Sequence, residues 1–201
     1  MTAVLAAPAR FLVAGEARFP SAGQAMRLAE SLIGDSGNRW KHTAGVAARA
    51  EELAGRLGLD PDVLVAAAWL HDIGYADPIA LTGFHPLDGA VHLSAEGWPA
   101  RIAGLVAYHS GARFVAAARG FGEQLAAFPD ERSVMDDALT YADQTVSPSG
   151  VRVDTETRYA EMLHRQGPCS WNAKVGAERR PHLRAITARM EHLLAAQPLA
   201  A

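Results

Sequence analysis

Eight histidines, at positions 42, 71, 85, 92, 109, 164, 182 and 192, stand beside a single cysteine, Cys169. One cysteine precludes an intramolecular disulfide and a thiolate metal cluster. A transition-metal site in this chain would therefore rest on imidazole and carboxylate. Taken singly, each histidine reads as a surface or satisfied core residue. His71-Asp72 is different, because it closes the most apolar stretch of the chain (Val63 to Leu70) and is flanked by Leu70 and Ile73. Two polar groups placed there must be partnered, since an unpaired buried charge is expensive. A divalent cation satisfies both groups, and so does an internal His–Asp hydrogen bond that fixes the helix end. Elsewhere His42 falls in Arg39-Trp40-Lys41-His42-Thr43, ahead of an amphipathic stretch, and Asp143 in Tyr141-Ala142-Asp143-Gln144 at the end of another. His85 lies in Gly83-Phe84-His85-Pro86 and His109 in Tyr108-His109-Ser110-Gly111.

The order His42, His71-Asp72, Asp143, each at a helix end of an all-α chain, resembles the HD-domain superfamily over roughly residues 38 to 150. That resemblance implies a metal-dependent phosphohydrolase that attacks phosphorus with metal-activated hydroxide, with no Ser or Cys nucleophile. Neither Ser110 nor Cys169 then has a catalytic role. One ion would take His42, His71, Asp72 and Asp143. The positions of His85 and His109 match the extra histidines of two-metal members, so a second ion would take these two, with Asp72 bridging. His85 is equally compatible with a simple helix cap, and His109 with a packed helix end. The ligand types suit iron, manganese, cobalt, nickel or zinc. Asp72, His71 and Arg39 are the residues expected at the reaction itself. Arg39, one turn before His42, fits a bidentate phosphate contact or an ordinary surface salt bridge. Arg113 is a weaker candidate of the same kind, and Asp77-Pro78 reads as a turn.

The segments Arg39 to Ala47, Gly89-Ala90 and Tyr108 to Gly111 are also similar to the subgroup that cleaves dinucleoside tetraphosphates. Tyr75-Ala76 and Gln144 to Pro148 depart from that subgroup, which carries a basic residue after His-Asp and a distinctive stretch after the last Asp. Two other readings belong to the same superfamily. One is a diiron oxygenase; against its C–P-cleaving branch, Leu32, Asp35 and Tyr75 stand where a Tyr, a Glu and a His are needed. The other is a non-catalytic nucleotide-binding module, in which ligands are commonly lost, whereas all six candidates are present here.

The elements that must carry these residues are helices. A helix is expected over Ser21 to about Ile33, and the next from near His42, with Val46, Ala50, Leu53 and Leu57 on one face. Asp60-Pro61 opens a helix that is apolar all round and central to a bundle, running to Gly74. Further helices are expected from Pro86, from Pro99 to His109, over Glu131 to Asp143, over Thr155 to Arg165 and over Ala177 to Ala196. Gly111 to Asp130 carries no clear pattern. The fold expected is an all-α, single-domain helical bundle of the HD-domain type with a C-terminal helical extension: residues 1–20 a partly irregular segment, 21–150 the HD domain, 151–201 helices packing on it. Trp69 and Trp98 read as core, and His164, His182 and His192 as solvated. Glu178-Arg179-Arg180 reads as an exposed first turn.

The bulk numbers agree with a globular chain: 201 residues, 49% hydrophobic, 20% charged and a formal net charge of -3. No basic face calls for a nucleic-acid polymer, and no run approaches a membrane span. Residues 1–20 lack the pattern of a secretory signal, so a cytoplasmic protein is expected. The partner implied is a small phosphate compound, a nucleotide above all. The oligomeric state is left open, a homodimer included.

Overall fold

A computed structural model describes residues 20–197. The partly irregular segment expected over residues 1–20 therefore lies, except for Pro20, outside the described residues. The described residues are helical with no strand, only an isolated pairing between Val146 and Arg152. The elements are α1 (Ala22–Ile33), α2 (Asn38–Leu57), α3 (Pro61–Leu70), α4 (His85–Ala95), α5 (Ala100–Tyr108), α6 (Ala112–Arg119), α7 (Gly122–Leu125), α8 (Val134–Gln144), α9 (Thr155–Gln166), α10 (Trp171–Lys174) and α11 (Gly176–Ala195), with short 3-10 turns at Ile73–Tyr75 and His109–Gly111.

Local chemistry accounts for most boundaries. Ser21 and Gln24 form a reciprocal capping box at α1. Asp60 accepts the N–H of Asp62, and Pro61 follows in the first turn of α3, where its missing N–H costs nothing. Ser133 caps α8 by accepting from Met135 and Asp136, so that helix starts three residues after Glu131. α2 starts at Asn38, four residues before the expected place. It follows Gly37 at φ 55 without any capping side chain, so the sequence offered no signal there. The patternless stretch after Gly111 forms α6 and α7.

α3 is the axis of the bundle. Val63 to Ala68 and Leu70 are all buried, and α1, α2, α5 and α8 pack around them. Burial of each large side chain such as Leu64 or Leu70 contributes about 1.5–3 kcal/mol. α11 lays Ile186, Met190 and Leu194 into the same core. A second cluster, with Phe84, Leu87, Ala107, Val115 and Leu125, joins α4 to α6 and α7. α3 stops at Leu70 rather than Gly74, and the chain tightens into the Ile73–Tyr75 turn. His71 and Asp72 consequently sit in the turn, at one end of the bundle.

Candidate metal centre

Five chain segments meet at that end. The first two turns of α2 bring Arg39 and His42, the close of α3 brings His71 and Asp72, and α4 starts with His85. α5 ends at Tyr108, just before His109, and α8 ends one residue past Asp143. One glycine makes this convergence possible. A Cβ on Gly74 would lie 2.0 Å from the carbonyl oxygen of His85 and 2.7 Å from the amide nitrogen of Gly89. Only a residue without a side chain lets the start of α4 approach the turn after Asp72 so closely.

Asp72 is the hub, 3% exposed. Its Oδ1 lies 3.3 Å from Nε2 of His85, and its Oδ2 lies 3.5 Å from Nε2 of His71 and 4.0 Å from Nε2 of His42. Nε2 of His85 and Nε2 of His109 face each other at 3.3 Å. Two groups, His42–His71–Asp72 and Asp72–His85–His109, each offer one ligand atom per residue within 4.8 Å of the others. Asp143 belongs to neither group. Its Oδ1 is 2.9 Å from Nε2 of His42, while Oδ2 accepts from the Ser110 hydroxyl and from Nε2 of Gln144 at 2.9 Å.

The tautomers test whether these side chains fit a cation. Nδ1–H of His71 donates to the carbonyl of Ala68 at 2.7 Å, Nδ1–H of His109 to that of Val106 at 2.6 Å, and Nδ1–H of His42 to that of Ser147 at 3.2 Å. Each bond commits Nδ1 and leaves Nε2 facing the centre, that of His71 toward Asp72, that of His42 toward Asp72 and Asp143, and that of His109 toward His85. Backbone carbonyls orient metal-bound imidazoles in this way. Nε2 of His71 is buried with no hydrogen-bond partner. Burial pushes the His71 imidazole down to about 4, against the pull of Asp72, and holds His85 well below its ordinary range. Burial alone would raise the Asp72 carboxyl, but the Arg39 guanidinium and the surrounding rings hold it well below the carboxylate range. Asp143 is likewise kept ionised against burial by its bond to His42. Imidazole nitrogens and ionised carboxylate oxygens converge on one cavity, an arrangement that a divalent cation satisfies, so the residues fit the group.

Arg39 does form a salt bridge, but with the buried Asp72 rather than a surface carboxylate. NH1 lies 2.5 Å from Oδ2 of Asp72, with the guanidinium carbon 3.8 Å above the Tyr75 ring. Tyr75 also stacks on His85 at 4.0 Å. Arg113 turns away to Asp130, at 3.7 Å, and to His182, at 3.1 Å. His182 is thus half-buried against Phe114 and Arg113 rather than solvated, whereas His164 and His192 are exposed. Asp77 lies in an exposed turn. Trp40 packs on Trp69 at 5.4 Å, and Trp171 lines the mouth of the site.

Above the centre lies a cleft of about 390 Å³, walled on the far side by Arg158, Met162, Arg165, Trp171, Asn172 and Arg179 from the C-terminal helices. Arg179 is 4% exposed, which corrects the expectation of an exposed first turn. It falls in register with Leu183, Ile186, Met190 and Leu194, the buried stripe of α11. That register was the signal available in the sequence. Ser110 was also passed over: at φ 53 it holds a left-handed conformation unusual for a residue with a side chain. It sets its amide against Thr140 Oγ1 and its hydroxyl against Asp143.

The family model described as HD domain matches residues 39–144, just over half of the chain, and the chain belongs to that family. The match opens on Arg39 and closes one residue beyond Asp143, so α9, α10 and α11 lie outside it. No curated protein and no solved structure matches the chain. Among the described residues, no helix is long and apolar enough to cross a membrane.

Proposed function

We propose that the protein is a metal-dependent phosphohydrolase acting on a nucleotide or another small phosphate ester or anhydride. The observation that carries this reading is the set of imidazoles at His42, His71 and His109, each with Nδ1–H given to a backbone carbonyl and Nε2 turned into a cavity around Asp72. His42, His71, Asp72 and Asp143 would hold one divalent ion, and Asp72, His85 and His109 a second. Such an ion supplies Lewis acidity, acidifying water and offsetting charge on phosphoryl oxygens. Arg39 offers the guanidinium fork that suits a phosphoryl oxygen pair. Ser110 and Gln144 fix the rotamer of Asp143. The cleft volume suits a small molecule rather than a polymer.

The test is elemental analysis of the purified protein, coupled to a panel of phosphomonoesters, phosphodiesters and phosphoanhydrides, for wild type and Asp72→Ala. Metal and turnover are expected to vanish together in the variant. Turnover retained without Asp72 overturns the reading. Dioxygen consumption by iron-loaded protein, without phosphate release from any substrate, replaces it with oxygenation.

A further inference from the structure

Two arginines beside the centre are not among its candidate ligands. Arg158 on α9 and Arg179 on α11 are 7% and 4% exposed, and both line the cleft on the Asp143 side. NH2 of Arg158 stands 3.9 Å from Oδ1 of Asp143 and NH1 donates to Glu161 at 2.7 Å, but Nε is buried with no partner. Nε of Arg179 donates to the carbonyl of Ser110 at 2.9 Å and NH1 reaches the Met162 sulfur at 3.5 Å. Among the described residues no carboxylate lies within 4.0 Å of Arg179. A buried guanidinium without a counter-charge is costly to fold; Arg179 is in that position, and Arg158 beside it, though paired with Glu161, keeps an unpartnered buried Nε. Among the described residues, Asp72 and Asp143 are the only carboxylates lining the cleft, and both are engaged by histidines. Beyond the centre the cleft is therefore cationic and short of an anion.

We propose that Arg158 and Arg179 form a second phosphoryl subsite, and that the substrate is a phosphoanhydride, two or more phosphoryl groups joined through a bridging oxygen, rather than a phosphomonoester. This rests on the phosphohydrolase reading for the site beside it. Adjacency is the reason for the anhydride. Arg158 sits at the edge of the Asp143 carboxylate, so an anion held by the pair and a phosphoryl group at the centre are immediate neighbours. Paired guanidinium forks match the oxygens of such a group. Arg165, exposed at the mouth and tied to Glu161, extends the same positive wall outward. Both buried arginines come from helices outside the family match, so the preference would belong to this chain's C-terminal extension.

The test uses the full-length, metal-loaded protein and two non-hydrolysable probes, methylenediphosphonate and methylphosphonate, with calorimetric titration and metal content measured before and after. Wild type is expected to bind the diphosphonate at least about tenfold more tightly, the size of one charge-assisted contact. Arg158→Gln and Arg179→Gln are each expected to erase most of that ratio with bound metal unchanged, and the Lys variants to restore part of it. A wild-type ratio near one overturns the subsite, as does a ratio that survives both Gln substitutions. Where a Gln variant fails to fold, a wild-type ratio near one still overturns the subsite, and the Lys variant of the same arginine supplies the comparison. The two readings separate cleanly. Diphosphonate preference lost in the arginine variants of a protein that hydrolyses nothing leaves the subsite and removes the phosphohydrolase. Hydrolysis dependent on Asp72 with no diphosphonate preference does the reverse.

Discussion

Nε2 of His42 lies 2.9 Å from Oδ1 of Asp143 across 101 positions of sequence, while the other ring nitrogen of His42 is already given to the carbonyl of Ser147. The remaining oxygen of Asp143 takes the Ser110 hydroxyl and the Gln144 amide. Asp143 is thus oriented from three sides before any ion arrives. Removing one of those supports should loosen ion binding without removing a ligand. Ser110→Ala keeps the left-handed backbone burden of a residue with a Cβ and deletes only the hydroxyl. Metal affinity, read by competition with a chelating dye, is expected to fall about 10–100-fold. Unchanged affinity would mean that Asp143 does not act at the ion.

Ion binding should also appear as stability, because the folded chain presents the ligands together and the unfolded chain does not. Stripping with a chelator and then restoring manganese or iron at about a hundred times the dissociation constant is expected to add about 2.7 kcal/mol. For a chain of this size that is about 5–10 °C in melting temperature. Asp72→Asn keeps the shape of the hub and removes its charge, so the metal-dependent increment should vanish in that variant. An equal shift in both proteins would place the bound ion elsewhere.

That His42, His71, Asp72, His85 and His109 come together was foreshadowed in the sequence because they fall near helix ends and because His71-Asp72 has apolar neighbours that forbid a surface role, whereas Asp143 joins neither cation-sized group. The helical fold was legible for the same reasons of capping and periodicity. What escaped was long-range. Arg158 and Arg179 are polar residues on helices whose neighbours in sequence, Thr157 and Glu178, are exposed. Only the packing of α9 and α11 over the end of α8 turns them inward. Ser110 carries no local mark of its left-handed backbone beyond the Gly111 that follows it. The early start of α2 was hidden because Gly37 opens it with no capping side chain, and that start is what puts Arg39 and His42 on one helix.

Gly74→Ala probes the close approach that seats His85. The added Cβ would meet the His85 carbonyl at 2.0 Å, far inside contact distance, and the obstacle is backbone that cannot rotate aside. The turn after Asp72 and the start of α4 must separate, at a cost of about 1–3 kcal/mol for overpacking. His85 would move away from Asp72 while His42 and His71, on other elements, stay. In a protein that takes up two ions, elemental analysis is therefore expected to lose the one shared by His85 and His109 and keep the other. Full occupancy of both would show that the approach at Gly74 does not position the site.

A titration far from the centre should set the pH dependence of folding. Asp136, in the first turn of α8, is 6% exposed, and its Oδ1 has no hydrogen-bond partner. Burial, with Asp137 and Asp130 nearby, raises its carboxyl from an ordinary 3.8 to about 7, outweighing the attraction of Arg113. The folded state therefore holds a proton that the unfolded chain has already released. The stabilisation from that proton is complete below about pH 4 and is lost as the pH climbs through about 7. Beyond that, keeping an ionised carboxylate in this place costs up to about 4 kcal/mol. Asp136→Asn fixes the neutral form at every pH. Its melting temperature should lie close to that of wild type at pH 4 and exceed it by several degrees at pH 8, the gap opening from about pH 4 to about pH 7. A constant offset between the proteins over that range would show that Asp136 does not titrate there.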